Sequence, residues 1–193
     1  MNELAQLALG LQTFWQGQGW RGCVIGGLAV QAWGEPRFTM DVDLSLLVGL
    51  GREEEFIDAW LEKFSVRIPN ARDFALANRV LLLRSSEGIG IDIALGCLPF
   101  EDEAILRAVD VEFAPGVKIK TCTSEDLLVM KCFADRPQDW IDIRGILVRQ
   151  NLQSLNWNYI RRHLKVLLDA KECPELMIKL DKLRDELSAG RVL

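Results

Sequence analysis

The hydrophobic pattern of the chain changes period along its length. Leu4, Leu7, Leu11 and Phe14 recur at helical intervals in the opening segment, with Asn2 placed to cap it and Gly17 and Gly19 to stop it. Shorter elements follow. Residues 21–26 read as a buried strand, 27–33 as a helix of two turns and 37–48 as a second strand. Residues 52–64 form an amphipathic helix whose Glu53, Glu54 and Glu55 lie where the helix dipole favours acids. Residues 79–96 hold two strands joined by a polar turn at 85–88, and a short helix near 101–107 and a turn at 114–116 come next. From Thr123 the period is helical: a segment opening with a Thr or Ser cap, a break at 136–140, a helix from Asp139, and two further amphipathic helices at 154–170 and 173–189. The pattern predicts an α+β fold, a small mixed β-sheet flanked by helices over residues 1–121, with a C-terminal helical lobe over residues 122–193.

Composition narrows what such a fold does. The 193 residues, 49% of them hydrophobic, suit one globular domain or a domain with an appended helical lobe. A net charge of −5 excludes a protein that coats nucleic acid through its overall field, while a local basic groove stays open. Cys23, Cys97, Cys122, Cys132 and Cys173 form an odd set without a CxxC pair, which reads as reduced core thiols and not as a zinc or disulfide framework. The amino terminus has no basic leader region, and no apolar run approaches the ~18 residues that cross a bilayer. The expectation is a soluble, cytoplasmic protein with no membrane partner.

Two carboxylates interrupt the second strand. If that strand begins at Arg37, its period of two puts Arg37, Thr39, Asp41 and Asp43 on one face and Phe38, Met40, Val42 and Leu44 on the other. Aspartates at i and i+2 repel one another, and a divalent cation relieves the repulsion. Oxygen ligands without a Cys or His cluster favour magnesium, which completes its shell with water and substrate phosphates. The alternative is an exposed strand face with two solvated acids. Gly26 and Gly27 add a second feature, a strand-to-helix turn where the backbone approaches a ligand closely and the helix start presents amides to phosphate. Asp92 adds a third: it lies on the face opposite Ile89, Ile91, Ile93 and Leu95, beside Gly90 and Ala94. If its strand neighbours the first, three aspartates converge.

The Gly-Gly turn, the pattern GxxRxTxDxDL and a later isolated strand aspartate resemble the polymerase-β-type nucleotidyltransferase superfamily. Within it, "GGLAVQAWGEPRFTMDVDLSL" followed by "SEDLLVMKCFADRPQDWIDIRGIL" is similar to the AbiEii-like nucleotidyltransferases, the toxins of type IV toxin–antitoxin systems. The resemblance covers roughly residues 20 to 150. It implies a nucleotidyltransferase fold and a metal-dependent enzyme that moves a nucleoside monophosphate from a nucleoside triphosphate to an acceptor hydroxyl, with two magnesium ions stabilising the attacking and leaving oxygens. Asp41 and Asp43 would bridge both ions, and Asp92 would hold the ion that activates the acceptor and take its proton. Gly26 and Gly27 would hold the triphosphate, with Arg37 and Thr39 beside them. Many members carry Ser at the second turn position where this chain has Gly27, and many of the toxins are longer.

The break at 136–140 holds a second constellation. Asp139 and Asp142, at i and i+3, share a helix face, and Lys131 ends the preceding helix. The resemblance implies that Lys131 and these acids serve the nucleotide site; the alternatives are a helix-capping Asp139 and a surface ion pair of Lys131 with Asp135. Arg161, Arg162, His163 and Lys165 form a basic run, either a nucleic-acid patch or a solvated helix face. Arg67, Arg72, Arg79 and Arg84 read as ordinary surface charges, with lining of the acceptor side as the alternative. Three functions remain open: a nucleotidyltransferase acting on RNA or protein, toxin-like and with a cognate antitoxin; a small-molecule, antibiotic-type nucleotidyltransferase; and a non-catalytic interaction module on the same fold.

Overall fold

The computed structural model describes residues 3–190, so the expected cap Asn2 lies outside the described residues. Two compact units are defined by their internal packing: one holds the residues up to Leu28 with Phe38–Cys122, the other Ala29–Arg37 with the residues from Thr123 onward.

The first unit is built on a seven-stranded mixed sheet. Its strands are β1 (Gly22–Val24), β2 (Asp41–Leu47), β3 (Ser65–Val66), β4 (Val80–Arg84), β5 (Gly90–Gly96), β6 (Val109–Ala114) and β7 (Val117–Thr121), in the order β3-β4-β5-β2-β1-β7-β6. The β2–β5 and β1–β7 pairs are parallel, and the others are antiparallel. The expected period of two holds where the strands are paired. Val42, Leu44 and Leu46 of β2 and Ile91, Ile93 and Leu95 of β5 are buried, in one core with Leu11 and Trp15 of α1 (Glu3–Gly17) and Phe56, Ile57 and Trp60 of α3 (Glu53–Leu61).

The second strand starts four residues later than the sequence suggests. The ladder with β5 ends at Asp41 opposite Gly90, so residues 37–40 lie outside the strand. Phe38 and Met40 are accordingly 82% and 72% exposed instead of filling an apolar face, while Thr39 is buried. Three features went unread in the sequence. They are the edge strand β3, the helix α4 (Ala71–Asn78), which buries Ala71 and Ala75 one turn apart, and the hairpin of β6 and β7 around the turn at 114–116. The helix α5 (Pro99–Arg107) is capped by Glu101, whose carboxylate accepts from the Cys97 and Leu98 amides at 2.8 Å.

The second unit is helical. It comprises α6 (Ser124–Ala134), α7 (Pro137–Arg149), α8 (Trp157–Lys171), α9 (Glu175–Ala189) and the later part of α2 (Gly26–Trp33). Thr123 caps α6 reciprocally with Asp126, as the Thr-x-x-Asp spacing predicts. The turn after α2 lies against α7, where Arg149 donates to the Gly34 carbonyl at 2.9 Å and Gln150 to that of Trp33 at 2.7 Å. Gly145 leaves room for this approach, because a Cβ there would stand 2.9 Å from the Glu35 nitrogen. No helix among the described residues is long and apolar enough to cross a membrane.

Candidate active site

The parallel pairing of β2 with β5 sets Asp43 directly opposite Asp92 and Asp41 opposite Gly90. The alternation that buries Val42, Leu44, Ile91 and Ile93 turns all three aspartates to the other face. Asp41, Asp43 and Asp92 are half-buried, and each offers a carboxylate oxygen within 4.8 Å of those of the other two. The convergence expected from the sequence is therefore a feature of the fold.

Glycine at positions 26 and 27 is a geometric requirement. Gly26 has φ +59°, and a Cβ there would overlap the Asp43 carboxylate. A Cβ at Gly27 would overlap the Thr39 hydroxyl and stand 2.9 Å from the Thr39 Cβ. The Gly27 amide donates to Asp43 Oδ2 at 3.2 Å, so the start of α2 steadies that carboxylate with an amide and with the positive end of the helix dipole. The Thr39 hydroxyl donates to Asp41 Oδ1 at 2.8 Å. With Gly27, the space beside the helix start belongs to Thr39.

Asp92 has a cation beside it. Arg67 Nη2 lies 2.7 Å from Asp92 Oδ1. Burial pushes the Asp92 carboxyl above its ordinary value, the Arg67 guanidinium pulls it down, and the charge on Asp41 adds to the rise. Of the four arginines whose pattern reads as ordinary surface charge, Arg67 thus belongs to the carboxylate cluster. Arg72 reaches Glu54 and Asp58, and Arg79 pairs with Glu53 and donates to the Gly49 carbonyl at 2.8 Å. The signal for Arg67 lay in its distance along the sheet, since only the register of β3, β4 and β5 brings residue 67 to residue 92.

The second constellation lies within the helical unit and is buried. Lys131 donates to Asp139 Oδ1 at 2.8 Å and to Asp142 Oδ2 at 2.7 Å, and all three side chains are shielded from solvent. Arg37 grips Asp142 through Nε at 2.8 Å and Nη2 at 3.1 Å, and Gln138 adds a third donor at 3.1 Å. Arg136 binds Asp139 through Nε at 2.7 Å, and its own amide donates to the same carboxylate at 3.2 Å, so Asp139 caps α7 while pairing with Lys131. Burial works to raise both carboxyls, but Arg136 and Lys131 hold Asp139 below the usual carboxylate range, and Arg37, Lys131 and Gln138 do the same for Asp142. Lys131 is no surface partner of Asp135, which accepts instead from Trp140 at 2.6 Å and Lys179 at 3.3 Å.

No family model and no curated protein sequence matches the chain. Among solved structures it is similar to an antigenic nucleotidyltransferase-like protein from Paracoccidioides brasiliensis, at 17% identity over 94% of this chain and 93% of that one, with a TM-score of 0.50. It is also similar to ANT(2")-Ia in complex with adenylyl-2"-tobramycin, at 14% identity over 86% of this chain and 98% of that one, with a TM-score of 0.52. The fold is a nucleotidyltransferase fold, as the Gly-Gly and DxD pattern implied.

Proposed function

We propose that the protein is a metal-dependent nucleotidyltransferase that moves a nucleoside monophosphate from a nucleoside triphosphate to an acceptor hydroxyl. The observation that carries this reading is the meeting of Asp41, Asp43 and Asp92 beside the Gly26–Gly27 helix start on this fold. Three half-buried carboxylates within reach of one point are a hard-oxygen donor set that fits magnesium. A divalent cation held there supplies Lewis-acid stabilisation of the phosphoryl oxygens.

The chain's own residues account for the rest. Thr39 and the Gly27 amide fix the Asp41 and Asp43 carboxylates, so the donor set is organised before a ligand arrives. The start of α2 is the place for the triphosphate, where the helix dipole favours negative charge. The acceptor oxygen attacks the α-phosphorus, the bond to the β-phosphate oxygen breaks, and pyrophosphate departs. Asp92, whose carboxylate stands with those of Asp41 and Asp43, takes the acceptor's proton.

For the acceptor, two readings stand. RNA or protein is the first, and the AbiEii-like resemblance, with a toxin role and a cognate antitoxin, belongs to it. The second is a small-molecule acceptor of the kind that the adenylyl-2"-tobramycin complex of ANT(2")-Ia contains. The state of the basic run favours the second: Arg161 pairs with Asp181 at 2.7 Å and Lys165 with Asp169 at 2.7 Å, which leaves less charge for phosphates. Incubation with magnesium, each labelled nucleoside triphosphate, and either total RNA, total protein or a panel of aminoglycosides and lincosamides tests both. A labelled product that Asp43→Asn abolishes supports the reaction and names the acceptor class. No label in any arm overturns the proposal. Growth arrest on expression, absent with Asp43→Asn, tests the toxin role.

A further inference from the structure

Arg67, Asp92 and Asp43 lie on one line across the sheet. The Arg67 amide donates to the Leu82 carbonyl at 3.0 Å, Leu82 pairs with Asp92 across β4 and β5, and Asp92 pairs with Asp43 across β5 and β2. From the end of the edge strand β3, the Arg67 side chain therefore has to cross β4 to meet a carboxylate on β5. It does so past Gly90. A Cβ at that position would stand 2.9 Å from Arg67 Nη1 and 3.3 Å from the Cβ of Asp41, so the missing side chain opens the slot through which the guanidinium arrives.

We infer that Arg67 is a positioning residue of the candidate active site, holding the Asp92 carboxylate by Oδ1 so that its other oxygen is turned to the cation, with Gly90 as the opening that admits it. The inference rests on the proposed metal-dependent reaction. The geometry argues for it on three counts. The ion pair of Arg67 with Asp92 is 2.7 Å long and formed by side chains only 30% and 26% exposed, so it is sheltered from the solvent that makes surface pairs weak. Asp92 Oδ1 is shielded from solvent and makes no hydrogen bond, so it meets the Arg67 guanidinium as an ion pair without competition from water. Asp41 has Thr39 and Asp43 has the Gly27 amide as supports, and Arg67 gives Asp92 the corresponding one. Partners that orient a metal-binding side chain typically govern affinity ten- to hundredfold.

The test is calorimetric titration of the full chain with manganese chloride, without nucleotide or acceptor. Arg67→Gln and Gly90→Ala should each weaken binding about tenfold or more. Their double variant should bind no worse than the poorer single one, because both act through the same contact. Arg67→Lys should recover part of the loss, which a general loss of structure would not permit, and unchanged melting of each variant without metal confirms that the fold is kept. Wild-type binding that Asp43→Asn removes but Arg67→Gln leaves unchanged overturns this inference and leaves the proposed reaction standing. Tighter binding by Arg67→Gln overturns it too, because Arg67 would then be a competitor of the cation. A wild-type chain that binds no manganese overturns both.

Discussion

Replacing Lys131 by methionine probes the buried ion cluster most directly. The substitution keeps the length and apolar stem of the side chain and deletes the charge that two aspartates share. Lys131, Asp139 and Asp142 have side chains 6%, 1% and 2% exposed, so water cannot take over the lost bonds. Removing one partner of a buried pair costs about 3–5 kcal/mol. Here each carboxylate keeps an arginine, Arg136 on Asp139 and Arg37 on Asp142, which puts the cost at the lower end, about 3 kcal/mol. For a chain of this size that lowers the melting temperature by roughly 6–12 °C. Differential scanning calorimetry at pH 7 measures it. The pH dependence has a definite sign. Both carboxyls are held below their ordinary value in the folded state, so the stability they contribute is present above about pH 4 and lost as pH falls through their folded pKa values. The gap between wild type and variant should therefore be full at neutral pH and close in acid. A melting point within about 1 °C of wild type at pH 7 would refute the reasoning, since a 3 kcal/mol loss has no other place to go. Nucleotide affinity of the same variant, measured below its melting point, decides whether Lys131 also serves the triphosphate.

Asp41→Asn and Asp43→Asn should each reduce transfer by orders of magnitude, while melting without metal holds or rises because a repelling charge is removed from a cluster within 4.8 Å; near-normal transfer by either variant would exclude the proposed chemistry. Gly26→Ala places a Cβ against the Asp43 carboxylate at a backbone φ of +59°, and urea denaturation should show a loss of about 1–3 kcal/mol together with weaker manganese binding. Burial first, then the neighbouring Asp135, pushes the Cys132 thiol up to about 12, so iodoacetamide at pH 8 should label Cys97 and Cys173 in the native protein and spare Cys132, as peptide mapping would show.

Local pattern was enough for much of this protein. The period-two run through Asp41–Leu47 and Gly90–Gly96 announced two strands with an apolar and a chemical face, and the helical period after Thr123 announced the helices that follow it. Asp41, Asp43, Asp92 and the Gly26–Gly27 turn were legible because each is a short-range departure from its surroundings: a charge in an apolar strand, or a glycine at a strand-to-helix turn. Tertiary structure decided the rest. Where β2 begins depends on where β5 stops offering partners, and so Phe38 and Met40 are exposed despite an alternation that promised them a core. Lys131 reads as a helix-end charge, for the nucleotide site or for a surface pair with Asp135, and the packing of α6 and α7 with the segment at Arg37 makes it the buried centre of a cluster. Arg67 stands 25 residues before Asp92, a separation that no periodicity connects; the register of three strands and the empty space at Gly90 bring them to 2.7 Å. Sequence records the faces of single elements, because side-chain direction follows from backbone geometry alone. Which faces meet is set by strand register and helix packing, and those depend on the whole chain burying its apolar surface at once.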